Sequence, residues 1–146
     1  MERTDIVDHA DGFFFLTDDH LDDQLRTIAE KTGPRLRPGV GALQIHTASD
    51  DGMARVTVAV SDTALPAAPE DGELIDECTY TTAVGAQRLR HSWLEETQGQ
   101  LRDPVTPPGA ARVHLRMYEI PGPHEPLASG IEITEHILLQ IWNQIL

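Results

Sequence analysis

The feature that most constrains the fold is an alternation of apolar and other residues in two segments, 54–62 (ARVTVAVSD) and 111–119 (ARVHLRMYE). In the second segment Val113, Leu115 and Met117 occupy every other position. Successive side chains of a β-strand point to opposite faces, so this period places the apolar side chains on one face. Both segments are therefore predicted to be half-buried strands.

Other segments have the composition of strands. The run 12–17 (GFFFLT) is apolar and aromatic, which predicts a strand buried on both faces. The run 41–48 (GALQIHTA) alternates, with Leu43 and Ile45 on one face and Gln44 and His46 on the other. A turn signal at 50–52 (DDG) separates it from the strand at 54–62, so a hairpin is expected. Weaker strand patterns lie at 73–82, 87–93 and 135–142; the last also fits a helix, but its β-branched residues favour a strand.

Only one segment has a clear helical period. Between Thr17 and Gly33, apolar residues recur every three or four positions, Thr17 or Asp18 can cap the first turn, and Gly33-Pro34 ends the pattern. The chain of 146 residues fits one domain, 1–146. The predicted fold is all-β with one short N-terminal helix: an antiparallel β-sandwich of about six to eight strands.

The balance of charge limits the partners that the chain can bind. It has 24 acidic and 11 basic residues, a net charge of −13, and two segments, 1–25 and 50–82, each hold eight acidic residues and one arginine. Such a field repels nucleic acid and anionic membranes and attracts cationic partners. Solubility alone is the alternative explanation. We expect the two acidic segments to converge on one outer surface.

The expected partner is a basic protein such as a nuclease or toxin. Direct binding of nucleic acid or of a membrane is not expected. The residues predicted to contact the partner are acidic and lie in the expected helix and around the strand at 73–82: Asp18, Asp19, Asp22, Asp23, Glu70, Asp71, Glu73, Asp76 and Glu77.

Three segments in order, GALQIHTASDDGMARVTVAVSD, PGAARVHLRMYE and EHILLQIW, resemble a group of small actinobacterial proteins of unassigned function. The order of these elements is similar to that of competence-protein-J-like inhibitors of a DNA-entry nuclease. The resemblance covers about half of the chain and consists of strand patterns. It implies a compact antiparallel β-sandwich and a role in blocking another protein, but it maps no inhibitory residue onto this sequence.

The sequence holds no signature of catalysis or of a cofactor. Its seven histidines lack the spacing of a zinc site, and the aspartate-rich run 18–23 lacks the glycine of an EF-hand loop, so no metal is predicted. Cys78 has acidic neighbours that raise the pKa of its thiol, which suits a buried structural cysteine. With one cysteine and no apolar signal segment, a cytoplasmic location is expected.

Two alternatives to the acidic binding surface remain open. The outward side chains of strand 111–119, namely Arg112, His114, Arg116 and Tyr118, could bind a small anion in a ligand-binding protein or enzyme, joined by Arg88, Arg90 and His91. Cross-strand ion pairs would explain the same side chains without a ligand. The other alternative is a structural homodimer that pairs strand edges near Trp142.

Overall fold

The structure is a computed structural model that describes residues 2–9, 12–17, 33–38, 42–48, 52–67, 72–82, 87–91, 99, 101, 103–107, 112–127 and 132–144. These residues form ten β-strands and no helix. The all-β sandwich predicted from the sequence is confirmed. The expected helix between Thr17 and Gly33 lies outside the described residues.

The larger sheet, here called sheet 1, contains six strands. Its order is β1-β5-β10-β8-β6, and the two-residue strand β9 pairs with the start of β10. The strands are β1 (Glu2–Asp8), β5 (Met53–Ser61), β6 (Glu73–Thr81), β8 (Arg112–Glu119), β9 (Glu125–Pro126) and β10 (Glu132–Asn143).

The smaller sheet, sheet 2, has the order β3-β4-β2-β7. Its strands are β2 (Phe13–Thr17), β3 (Leu36–Pro38), β4 (Ala42–His46) and β7 (Arg88–Arg90). Every residue of β2 and of β4 is buried, as predicted for the apolar run at 12–17. Gln44 and His46, expected on the polar side of their strand, are also buried, so both sides of sheet 2 are covered.

The alternation seen in the sequence builds the core between the two sheets. Val56 and Val58 of β5 and Val113, Leu115 and Met117 of β8 are fully buried, and they pack in one cluster with the apolar residues of sheet 2. Their neighbours in the sequence point to the outer face of sheet 1. The predicted orientation of strand 111–119 is therefore confirmed.

The hairpin expected between the strands at 41–48 and 54–62 does not form. β4 pairs with β2 and β3 in sheet 2, whereas β5 pairs with β1 and β10 in sheet 1. The chain therefore crosses from sheet 2 to sheet 1 between β4 and β5, close to a second crossing between β1 and β2. Two backbone hydrogen bonds join the crossings: the Thr47 N–H donates to the Gly12 carbonyl (2.9 Å), and the His9 N–H donates to the Gly52 carbonyl (3.1 Å). A turn signal marks a change of direction, but it does not specify the strand with which the next segment pairs.

The segment with the ambiguous C-terminal pattern is β10, the central strand of sheet 1. It pairs antiparallel with β8 and parallel with β5, so the sandwich is not wholly antiparallel. The ten strands exceed the expected six to eight because β3, β7 and β9 are only two or three residues long. The sequence pattern also missed β1, whose apolar positions are too few to alternate clearly.

Candidate functional site

The two rival sets of predicted site residues lie side by side on neighbouring strands of sheet 1. Glu73, Asp76 and Glu77 belong to β6, and the four side chains of the alternative anion-binding face belong to β8. In the antiparallel register Glu77 lies opposite Arg116, and Thr79 lies opposite His114. The acidic and basic groups therefore meet across one ladder.

Glu77 neutralises the centre of the basic face. Its Oε2 accepts hydrogen bonds from Nε2 of His114 (2.7 Å) and from Nε of Arg116 (3.1 Å). A carboxylate only accepts, so the second nitrogen of the imidazole, Nδ1, is left to pair with the Thr79 hydroxyl at 2.9 Å. The bond from His114, followed by that from Arg116, lowers the pKa of Glu77. These are the cross-strand ion pairs that the sequence allowed as the simpler explanation.

Trp142 of β10 completes this cluster. Its ring stacks on the imidazole of His114, with centroids 4.6 Å apart, and the guanidinium carbon of Arg116 lies 4.7 Å from the ring centroid. The chain after β5 reaches the same face of sheet 1: the Leu65 carbonyl accepts from Arg116 (3.2 Å), and the Pro66 carbonyl accepts from Gln140 of β10 (2.9 Å). Trp142 itself is only 5% exposed.

The remaining members of the anion-binding hypothesis are dispersed. Tyr118 is buried and Arg112 is exposed at the far end of β8. The residues expected to join them lie on or beside β7, in the other sheet, where Arg90 donates to the Thr17 hydroxyl (2.9 Å) and Nδ1 of His91 accepts from the Asp8 N–H (3.0 Å). The expectation that Arg88, Arg90 and His91 extend the β8 face was wrong, because β7 and β8 belong to different sheets.

The acidic residues of β6 differ in how much of their charge is available to a partner. Asp76 is half-buried, and its carboxylate accepts from the Leu36 N–H (3.0 Å) and the Glu77 N–H (2.8 Å), so it ties sheet 2 to sheet 1. Glu73 is exposed and lies directly opposite Glu119 of β8. Like charges in that position destabilise a ladder modestly. Glu73 and Glu119 have no ion pair among the described residues.

The two acidic segments do not converge in the part of the chain that the structure describes. Glu2, Asp5 and Asp8 lie on β1, whereas Glu73, Asp76 and Glu77 lie on β6, at the opposite edge of sheet 1. Four strand spacings separate these edges, about 19 Å. For the described residues, the expectation that the two acidic segments converge on one outer surface was therefore wrong. Six of the predicted contact residues lie outside the described residues: Asp18, Asp19, Asp22, Asp23, Glu70 and Asp71.

A buried polar cluster that sequence reasoning missed lies where the two sheet crossings meet. His9 is fully buried; its Nδ1 pairs with the Thr47 hydroxyl (3.1 Å), and its Nε2 lies 3.3 Å from Oε2 of Glu135. The other carboxylate oxygen of Glu135 accepts from the Ala48 N–H at 2.7 Å. No sequence pattern predicted this cluster. In the structure, the pairing of β10 with β5 shifts in register between Ile133 and Glu135.

Cys78 is half-buried on β6. Burial, with help from Asp76 and Glu77, raises the pKa of the Cys78 thiol to about 12, so this thiol is a poor nucleophile.

Within the described ranges no three His, Cys, Asp or Glu side chains are grouped so that they could hold a metal ion. No helix in that same part of the chain has the length and apolar character needed to cross a bilayer. Trp142 lies on a central strand, so it offers no free edge to a homodimer.

Comparison with protein-family models gave no match, and neither did comparison with the sequences of curated proteins. Comparison with solved structures gave a match to the crystal structure of ComJ from Bacillus subtilis, an inhibitor of the DNA-degrading activity of NucA. The match covers 97% of this chain and 96% of that chain, with a TM-score of 0.54 and 9% sequence identity. The chain is therefore similar to ComJ in fold, over nearly the full length of both proteins.

Proposed function

We propose that this chain is a non-enzymatic binding protein of the inhibitor type, which masks a basic site on a partner protein, and that the partner is a nuclease. The observation that carries the proposal is the fold shared with ComJ over 97% of the chain, since ComJ inhibits a nuclease. A net charge of −13 supports it, because an acidic inhibitor can occupy the basic surface that would otherwise hold phosphates.

The local arrangement of charge favours β6 as the side that faces the partner. Glu73 and Glu119 lie opposite each other without a cation among the described residues, whereas the acidic residues of β1 lie at the other edge. A lysine or arginine placed against Glu73 and Glu119 would remove the repulsion between them. The geometry gives the alternative of an anion site on β8 no specific support, because Glu77, Trp142 and the Leu65 carbonyl already engage His114 and Arg116.

The test is a panel of purified basic proteins that includes nucleases, the nuclease encoded nearest to this gene among them, and non-nuclease proteins of matched isoelectric point. We expect one nuclease to bind and to lose its DNA-degrading activity. Electrostatic steering makes association slower as salt rises. Inhibition of no nuclease, or binding to every basic protein alike, would refute the proposal.

A charge variant makes the test specific to β6. Replacing Glu73 and Glu119 together by glutamine should weaken binding to the nuclease and leave the fold intact, because both side chains lack ion pairs in the described part of the chain. The matched control replaces Glu2 and Asp8 of β1 by Gln and Asn, which removes the same charge from the opposite edge. Equal loss of binding in both variants would indicate a general effect of net charge and not a β6 interface.

A further inference from the structure

The outward edge of β6 differs from the other sheet edges in the described part of the chain. Strands at a sheet edge expose N–H and C=O groups that can pair with another strand. β3 and β7 are only three residues long, and the Leu36 N–H of β3 already donates to Asp76. On β1, the N–H groups of Ile6 and Asp8 donate to side chains, those of Asp5 (2.8 Å) and His91 (3.0 Å).

The register shows which residues of β6 turn their backbone outward. The Arg112 carbonyl accepts from Gln144, beside β10, so the even-numbered residues of β8 bond toward β10 and the odd-numbered ones toward β6. The partner of Arg112 on β6 is Thr81, and the partner of His114 is Thr79. The N–H and C=O groups of Thr79 and Thr81 therefore point away from β8.

A second observation gives the same orientation. The Glu77 N–H donates to the side chain of Asp76 instead of entering the ladder with β8 (2.8 Å). Groups on one strand alternate in direction, so Thr79 and Thr81 share the outward direction of Glu77. Unlike the N–H of Glu77, those of Thr79 and Thr81 have no acceptor among the described residues. Both threonines are β-favouring residues, and the pairing with β8 is regular from Asp76 to Thr81.

We propose that residues 77–81 of β6 form a docking edge, which an extended basic segment of the partner joins as an additional strand. Main-chain hydrogen bonds to Thr79 and Thr81 would supply affinity, as in other cases of strand addition. The inference rests on the proposed function for its choice of occupant, a segment of a basic protein. Charge complementarity supports that choice: the acids of β6 are Glu73, Asp76 and Glu77, and the strand has no basic residue.

Charge also argues against a second copy of this chain as the occupant. Two copies joined along β6 would bring together two proteins that each carry a net charge of −13. Both contacts of Glu77 with His114 and Arg116 use Oε2, which leaves Oε1 to receive a lysine or arginine of the docked segment. Leu74, 49% exposed near the start of β6, offers the segment an apolar contact.

A pair of variants isolates the backbone edge. Thr79→Pro removes the outward N–H without removing a hydrogen bond from the ladder with β8, and proline is tolerated at sheet edges. Thr79→Val keeps the N–H. Both variants lose the bond between the Thr79 hydroxyl and His114, so their difference reports on the edge alone. Amide NMR spectra that match the native spectrum away from β6 establish that both variants fold. If Thr79→Pro does not fold, Thr81→Pro and Thr81→Val replace the pair.

The probe is a nine-residue peptide of alternating lysine and valine, with a glutamate–valine peptide as its control. At saturation the lysine peptide should slow hydrogen exchange of the Thr79 and Thr81 amides at least about tenfold, and the glutamate peptide should not. Its affinity should fall about tenfold from Thr79→Val to Thr79→Pro, the effect of losing roughly one or two hydrogen bonds. Equal affinity for the two variants, or protection that rises with protein concentration when no peptide is present, would overturn the proposal.

The same variants separate this inference from the proposed function. If a nuclease is inhibited equally by Thr79→Pro and Thr79→Val, the docking edge is wrong and the inhibitor function stands. If the lysine peptide protects β6 and no nuclease is inhibited, the docking edge stands and the proposed partner is wrong.

Discussion

Glu77 and Arg116 lie directly opposite each other on β6 and β8, with Oε2 of the carboxylate 3.1 Å from Nε of the guanidinium. The same oxygen also accepts from His114. The relationship shows that the neighbouring strand already supplies a carboxylate to the two central donors of the β8 face. It also predicts how the β8 face should respond when that anion is removed.

Replacing Glu77 by glutamine should leave the fold intact and lower the free energy of unfolding by less than about 1 kcal/mol, since partly exposed ion pairs contribute little. The same change should make phosphate binding on β8 stronger than in the native protein, because His114 and Arg116 lose their carboxylate. Denaturant unfolding and a phosphate titration followed by NMR test the two parts. Phosphate binding of equal strength by the native protein would instead support the anion-binding hypothesis.

Trp142 should contribute far more to stability than its place on the outer face of sheet 1 suggests. It is 5% exposed and contacts His114 and Arg116. Trp142→Ala should lower the free energy of unfolding by about 3 kcal/mol. Leu74→Ala is the matched control: Leu74 is 49% exposed, and its truncation should cost less than about 0.5 kcal/mol. Equal losses in thermal or urea unfolding would show that Trp142 is not buried in solution.

His46 should make the protein less stable in mild acid. Burial, followed by the charges of Arg37 and Arg35, lowers the pKa of its imidazole from 6.5 to about 4. The unfolded chain therefore binds a proton on His46 below pH 6.5, whereas the folded protein binds it only near pH 4. The free energy of unfolding falls as the pH decreases across that window. The loss is on the order of 2 kcal/mol. In His46→Gln, unfolding measured from pH 7.5 to 4 should depend less on pH; an unchanged dependence would contradict the assignment.

Glu135 should contribute strongly to stability at the point where the two sheet crossings meet. Glu135→Ala leaves the Ala48 N–H without its acceptor and His9 without its carboxylate, which should cost about 2–3 kcal/mol. Glu135→Gln retains an oxygen for Ala48 and should cost less. The control is Glu132→Ala, an exposed position on the same strand, with an expected effect below about 0.5 kcal/mol. The order of the three variants in urea unfolding checks the role; similar values for Glu135→Ala and Glu132→Ala would refute it.

Sequence reasoning was most accurate where one face of a strand is buried. The alternation of Val113, Leu115 and Met117 is fixed by the geometry of an extended chain, and the structure buries all three. It was least accurate in predicting which strands pair with each other. The turn signal at 50–52 predicted a hairpin, but the chain crosses from sheet 2 to sheet 1 at that point, and pairing between distant segments leaves no local pattern to read.

The candidate site shows the same division. The sequence named His114, Arg116 and Glu77 as site residues but assigned them to rival hypotheses, because it could not show that they face each other across one ladder. It grouped Arg90 and His91 with β8, although they belong to the other sheet. It expected the acidic residues of β1 and β6 to converge, and the strand order places those strands at opposite edges.

By itself the sequence determined the class of fold, the strands with alternating faces and the excess of negative charge, since each follows from local geometry or from composition. Only the tertiary structure decided the order of the strands, the parallel pairing of β5 with β10, the burial of His9 with Glu135 and the outward direction of the Thr79 and Thr81 amides. All of these depend on contacts between segments far apart in the chain, and such contacts are fixed by the packing of the whole sandwich.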